Sequence, residues 1–161
     1  MAFVLHTVFL FCALSGLVSV SWSRSIVKVK GGPCCPRGWT QLDCRCFIFQ
    51  DEGRSFSDAE SVCNILGGNL ASVHNNVEYA VVLGVIAKGT SSDYWIGLHE
   101  ALGSDDFIWT DGTPVDFTAF NSNNDSGDCI EVEVDDDLWD NQPCDSPNRY
   151  ICAKDADECF H

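Results

Sequence analysis

The spacing of apolar and polar positions divides the chain into an apolar front, a helical first half and a strand-rich second half. From Phe3 to Val20 nearly every residue is apolar, and small residues follow in Ser19-Val20-Ser21-Trp22-Ser23. An apolar core closed by small residues reads as a secretory signal peptide over residues 1–23, with a retained signal anchor as the rival reading. Residues 24–33 read as an N-terminal arm in which Ile26, Val27 and Val29 stand between lysines. Residues 34–161 have the length of one domain. Within it, Phe47-Ile48-Phe49-Gln50 has the aromatic and β-branched content of a strand. Ser57-Asp58-Ala59-Glu60 has the form of a capping box, in which a hydroxyl and a carboxylate satisfy exposed backbone amides reciprocally. Ala59, Val62, Cys63 and Leu66 then recur at helical spacing until Gly67-Gly68 ends the helix. Asn75-Asn76-Val77-Glu78 opens a second helix, with Tyr79, Val82, Leu83 and Ile86 as its buried stripe.

After Ile86 the signals are those of strands. Tyr94-Trp95-Ile96-Gly97-Leu98 is predicted as a strand, and Phe107-Ile108-Trp109 meets a turn at Asp111-Gly112 with Val115-Asp116-Phe117 beyond it. Phe120 to Asp128 holds three asparagines and no aliphatic residue, so it is a loop. Cys129 to Asp135 alternates, with Ile130, Val132 and Val134 on one face and Glu131, Glu133 and Asp135 on an outward, solvated one. Tyr150-Ile151-Cys152-Ala153 completes the strands. Two helices followed by several antiparallel strands define an α+β class.

Composition places the chain outside the cell. There are 10 cysteines, of which Cys12 lies in the apolar front, and such density in a small chain means disulfides in an oxidising compartment. The nine that remain are an odd number, so one thiol stays free or bonds to another chain. The net charge of −15 repels phosphate backbones and excludes nucleic acid as a partner. No segment after the apolar front is long and apolar enough to span a membrane. No nucleophile stands in a triad motif and no glycine loop is built to cradle phosphate, so the chain reads as a binding protein and not an enzyme. His74 and His99 match no metal-ligand spacing and are assigned surface or loop roles.

The order of these elements resembles the C-type lectin-like family from Cys35 to Lys154. The motifs that carry the likeness are Cys35-Pro36-Arg37-Gly38-Trp39, Cys46-Phe47, Cys63 with Gly68-Asn69-Leu70-Ala71-Ser72-Val73, and Trp95-Ile96-Gly97-Leu98. They continue with Trp109-Thr110-Asp111-Gly112, Cys129, Trp139, Cys144 and Cys152. Within the family the chain is similar to the small soluble lectins and type II antifreeze proteins of bony fishes. The resemblance implies bridges Cys35–Cys46, Cys63–Cys152 and Cys129–Cys144. Cys34, Cys44 and Cys159 are surplus to that plan. Cys44–Cys159 is the expected extra bridge, and a disulfide-linked homodimer would form through Cys34 or Cys44.

The resemblance also implies a calcium-dependent sugar site in the long loop, because a hard cation takes six to eight oxygens and vicinal sugar hydroxyls can supply the last two. This chain departs from that pattern. No proline lies between Val115 and Gln142, so the usual Glu-Pro-Asn or Gln-Pro-Asp triplet is missing. Gly127 stands where a glutamate is expected, and Trp139-Asp140-Asn141 transposes the usual Trp-Asn-Asp. What remains is a remodelled calcium site at Asp128, Asp140 and Asn141, with Asn123, Asn124 and Asp125 as ligand-binding residues. The competing reading is that Asn and Asp are present as turn formers. The function implied is a secreted recognition protein that binds glycans or glycoproteins, of the kind used in innate defence. A disulfide-linked protein-binding or toxin-like module and an ice-binding protein are the alternatives.

Overall fold

The computed structural model describes residues 34–86, 92–102, 106–122 and 127–157. The apolar front, the arm, Cys159 and the loop residues Asn123, Asn124 and Asp125 lie outside them. Ten elements run in order: β1 (Thr40–Leu42), β2 (Arg45–Arg54), α1 (Phe56–Ile65), β3 (Asn69–Leu70), α2 (Asn76–Ile86), β4 (Tyr94–Glu100), β5 (Phe107–Trp109), β6 (Cys129–Val132), β7 (Trp139–Gln142) and β8 (Asn148–Asp155). The strands form one sheet in the order β1-β2-β8-β4-β6-β7, with β3 added to β8 and β5 to β4. The α+β class stands. Pairing is antiparallel except where β8 meets β4, with Tyr94 opposite Arg149 and Trp95 opposite Tyr150. The last strand enters the middle of the sheet, antiparallel to β2 on one side and parallel to β4 on the other.

Helix α1 begins two residues earlier than the sequence pattern predicts. Its cap is Ser55, whose Oγ accepts the Asp58 N–H at 3.3 Å. Glu60 does not close a box because its carboxylate serves β3 instead, accepting the Leu70 N–H at 2.7 Å and Asn69 Nδ2 at 2.6 Å. That pair of bonds ties the helix to the sheet. Helix α2 begins as expected. Asn75 Oδ1 accepts the N–H groups of Val77 and Glu78, and Glu78 Oε2 reaches back to the His74 N–H at 2.9 Å. Tyr79, Val82 and Ile86 are buried.

Two expected strands are corrected. The run from Cys129 ends at Val132, because Glu133 N–H bonds Leu138 O at 2.9 Å and Asp137, at φ 59°, turns the chain back. Glu131, inside the strand, is on no solvated face: it is 4 % exposed, covered by Gln142 and Asn148. Val115-Asp116-Phe117 is irregular, and β5 pairs back on β4 with Leu98 opposite Trp109. Gly97 makes that hairpin compatible with its floor. A Cβ there would lie 2.6 Å from Leu70 O and 2.8 Å from Thr110 Oγ1, so only glycine lets Ala71, Gly97 and Thr110 hydrogen-bond side by side.

The three bridges implied by the resemblance are present: Cys35–Cys46, Cys63–Cys152 and Cys129–Cys144. Cys63–Cys152 spans 89 residues and fastens α1 to β8, which in the chain-entropy model contributes on the order of 4 kcal/mol. Cys44 is also disulfide-bonded, to a residue outside the described ones, so it is not free to link a second chain. Cys34 is exposed and is the free thiol among the described residues.

The core is centred on Trp139, which is fully buried. Tyr79 from α2, Trp109 from β5, and Phe117 and Phe120 from the irregular segment stand edge-on around its indole, with ring centroids 5.6–5.8 Å away. Edge-to-face pairs add roughly 0.5–1.5 kcal/mol each beyond the area they bury. Replacing Trp139 by Ala should lower unfolding free energy by about 3–5 kcal/mol. Denaturant titration of the oxidised protein checks this, and a loss below ~1 kcal/mol would show that the ring cluster does not centre the core.

Candidate ligand site at the ends of β4, β6 and β7

Strand pairing brings the candidate residues together. In the β6–β7 ladder Glu131 faces Asp140 and Ile130 faces Asn141. A register shift between Trp95 and His99 carries the end of β4 past the start of β6, and the Glu100 N–H donates to Asp128 O at 2.7 Å. Gly127, Asp128, Glu100 and Asn141 thus meet at one end of three strands.

Asn141 is 5 % exposed and sits at the centre of this group. Its Nδ2 donates to Gly127 O at 2.7 Å and lies 3.5 Å from Glu100 Oε1. Both neighbours are acceptors, so the amide must turn its NH₂ toward them. Its Oδ1 is then left buried with no hydrogen-bond partner. Such an atom forfeits about 1–3 kcal/mol of hydration unless a ligand or water donates to it. Asp140 is equally buried and its Oδ1 accepts the Asn141 backbone N–H at 2.9 Å. Asp128 is exposed and contributes its backbone carbonyl to the ladder.

Across the sheet Glu131 receives Gln142 Nε2 at 2.9 Å and a hydrogen bond from Asn148 Nδ2. Burial pushes its carboxyl above the usual range, with Asp93 and Glu133 adding to the rise and the two amide donors opposing it. Glu131 is a structural acceptor that locks β7 and the start of β8 to β6.

The described residues do not make a calcium cage. Among them no three His, Cys, Asp or Glu side chains converge on one point, and the Asn141 group nearest Glu100 is a hydrogen-bond donor where a cation requires oxygen. Gly127 shows why. A Cβ at that position would lie 2.1 Å from the Gln142 carbonyl carbon, so no glutamate side chain can be carried there while the loop end rests on β7. The Gly127 carbonyl takes the place of a carboxylate and is satisfied by an amide hydrogen. Of the residues named from sequence, Asp140 and Asn141 are at the site and Asp128 borders it. Asn123, Asn124 and Asp125 fall outside the described residues. Glu100 and Gly127 were not assigned a ligand role from sequence; the register shift that brings Glu100 there leaves no local signal.

The Lectin C-type domain model matches residues 52–154. The chain belongs to the C-type lectin domain family. It is 31 % identical over 96 % of its length to the galactose-specific lectin nattectin of Thalassophryne nattereri, covering 99 % of that protein. It is 37 % identical to ladderlectin of Oncorhynchus mykiss over 74 % of this chain and 67 % of the relative. Among solved structures it is similar to a calcium-independent type II antifreeze protein, with a TM-score of 0.72 and 31 % identity, covering 79 % of this chain and 98 % of that one. Among the described residues of this C-type lectin domain no helix is long and apolar enough to cross a membrane.

Gly127→Ala should cost about 1–3 kcal/mol and loosen the closure of the loop on β7. Thermal unfolding together with amide exchange at Asn141 and Gln142 reads this, and an unchanged melting temperature with unchanged exchange would refute the contact.

Proposed function

We propose that the protein is a secreted carbohydrate-binding protein whose glycan or glycoprotein ligand docks at the Glu100–Asn141 end of the sheet, with Asn123, Asn124 and Asp125 as further ligand-binding residues. The observation that carries this reading is the buried Asn141, whose Oδ1 has no hydrogen-bond partner and whose Nδ2 lies 3.5 Å from the Glu100 carboxylate. Asn141 Oδ1 and the Glu100 carboxylate are both acceptors, and sugar hydroxyls can donate to each. Family membership and the galactose specificity named for nattectin support the ligand class. Direct hydroxyl contacts need no metal. A calcium route would recruit Asp128, Asp140 and Asn141 and would require the Asn141 amide to reverse, breaking its bond to Gly127 O.

A glycan array run with calcium, and again with EDTA, tests the proposal. Binding to galactose-bearing glycans that survives EDTA is expected, weakened about tenfold or more in Asn141→Ala, as befits a lost buried hydrogen bond. No signal above background under either condition would sink it. Heat on titrating calcium into the stripped protein would instead establish the metal route. Ice binding is a second reading, favoured by the likeness to the antifreeze structure; a thermal-hysteresis assay without activity removes it.

A further inference from the structure

The end of the sheet where Glu100 meets Asn141 offers a ligand acceptors and no donor. Both Nδ2 hydrogens of Asn141 have acceptors beside them, the Gly127 carbonyl at 2.7 Å and Glu100 Oε1 at 3.5 Å. What that side chain has left is its buried Oδ1, which has no hydrogen-bond partner. The oxygen and nitrogen of one amide are ~2.3 Å apart, so Oδ1 lies within about 6 Å of Glu100 Oε1. Two acceptors at that separation can share one group rich in donors. The backbone adds none, because the Glu100 N–H is taken by Asp128 O at 2.7 Å.

Charge at this end has one sign. Glu100 is in no ion pair among the described residues, where the arginine pairs are those of Arg45 with Glu78, Arg54 with Glu52 and Arg149 with Asp51. The exposed Asp128, immediately before β6, adds a second carboxylate. His99 is no counter-ion: strand alternation puts its ring on the opposite face of β4, edge-on to Phe56 with centroids 5.6 Å apart. The remaining neighbour is aromatic. Phe107 stands opposite Glu100 across the β4–β5 hairpin, and the side chains of such a pair share a face with Cβ atoms about 4.5–5.5 Å apart. Its ring packs on Phe120, with centroids 5.0 Å apart. Aromatic rings attract cations through their negative faces.

We propose that this end of the sheet selects amino sugars: a hexosamine with a free, protonated amine binds in preference to the neutral hexose, and a sugar bearing a carboxylate is turned away. An ammonium group has three donors and no acceptor. One N–H meets the Glu100 carboxylate and a second meets Asn141 Oδ1, beside the Phe107–Phe120 pair. Acetylation of the amine removes its charge and two of its three hydrogens. A carboxylate on the ligand would face acceptors only, so charge repulsion widens the gap between cationic and anionic sugars beyond that between cationic and neutral ones. This selectivity rests on the carbohydrate reading of the same site and adds the sugar class to it.

Titration of the intact protein in EDTA with four methyl glycosides tests it: the galactosaminide, the galactoside, the N-acetylgalactosaminide and the galacturonide. At mildly acidic pH, where the amine carries its proton, the galactosaminide should bind about fivefold tighter than the galactoside, the scale of a half-exposed ion pair. The N-acetyl sugar should lose that advantage, and the galacturonide should bind weakest. In Glu100→Gln the ratio of galactosaminide to galactoside affinity should fall toward one. Where that variant does not fold, the carboxyl-carbon resonance of Glu100 in the wild type should move further with the galactosaminide than with the galactoside, and equal movement overturns the proposal. A galactoside that binds as well as its amine, or a preference that survives Glu100→Gln, overturns the selectivity and leaves carbohydrate binding standing. Methylammonium that binds as tightly as the galactosaminide also overturns it, because the sugar ring would then contribute nothing. Binding of none of the four sugars removes the carbohydrate reading and the selectivity with it.

Discussion

The indole of Trp139 is the contact on which the rest of this molecule depends. It stands at the first position of β7 with aromatic edges from three other parts of the chain around it, so helix α2, the β5 turn and the irregular segment all take their positions from one ring. Rigid interdigitated packing of this kind leaves few alternative arrangements. The two residues after Trp139 carry the candidate ligand groups, and they are held as firmly as the ring is. A site mounted on the strand that anchors the core is preorganised before a ligand arrives.

The same strand explains how the domain retains the lectin fold although its described residues gather no calcium cage. Glycine at position 127 allows the loop end to lie directly on β7, and the Asn141 amide hydrogen then fills the space between two acceptors that a cation would otherwise bridge. A hydrogen bond between neutral groups is weaker than metal coordination, but it needs no ion and no deprotonation. The unsatisfied Oδ1 is the cost of that arrangement, and it is also what makes the spot receptive to a donor. Buried acceptors gain most from a partner where water is excluded.

Several polar groups elsewhere among the described residues hold segments in register. Glu60 joins α1 to β3, Glu131 joins β6 to β7 and to the start of β8, and Ser72 gathers groups from three segments. Each is a buried or half-buried acceptor or hydroxyl satisfied by a residue distant in sequence. Together with the disulfides they specify a mixed sheet in a domain whose apolar residues alone would under-determine it.

Much of this was legible in the sequence, because local periodicity and cysteine usage are local facts. The 3.6-residue stripe of α2, the strand at Tyr94–Leu98, the oxidising compartment and the family's motifs can all be read from neighbours along the chain. The bridges followed from the likeness to the family and not from spacing. Other features could be decided only by residues far apart in sequence. Glu131 alternates like a solvated residue, yet it is buried because β7 and the start of β8 close over it. The helix cap falls at Ser55 because Glu60 is claimed by β3 across the fold. Glu100 reaches Asn141 through a register shift in β4, and His74 meets Asp116 across 42 residues. A side chain's period along the chain gives the face it takes; which partner then covers that face is set by the packing of the whole sheet, and that is where the chemistry of this protein was fixed.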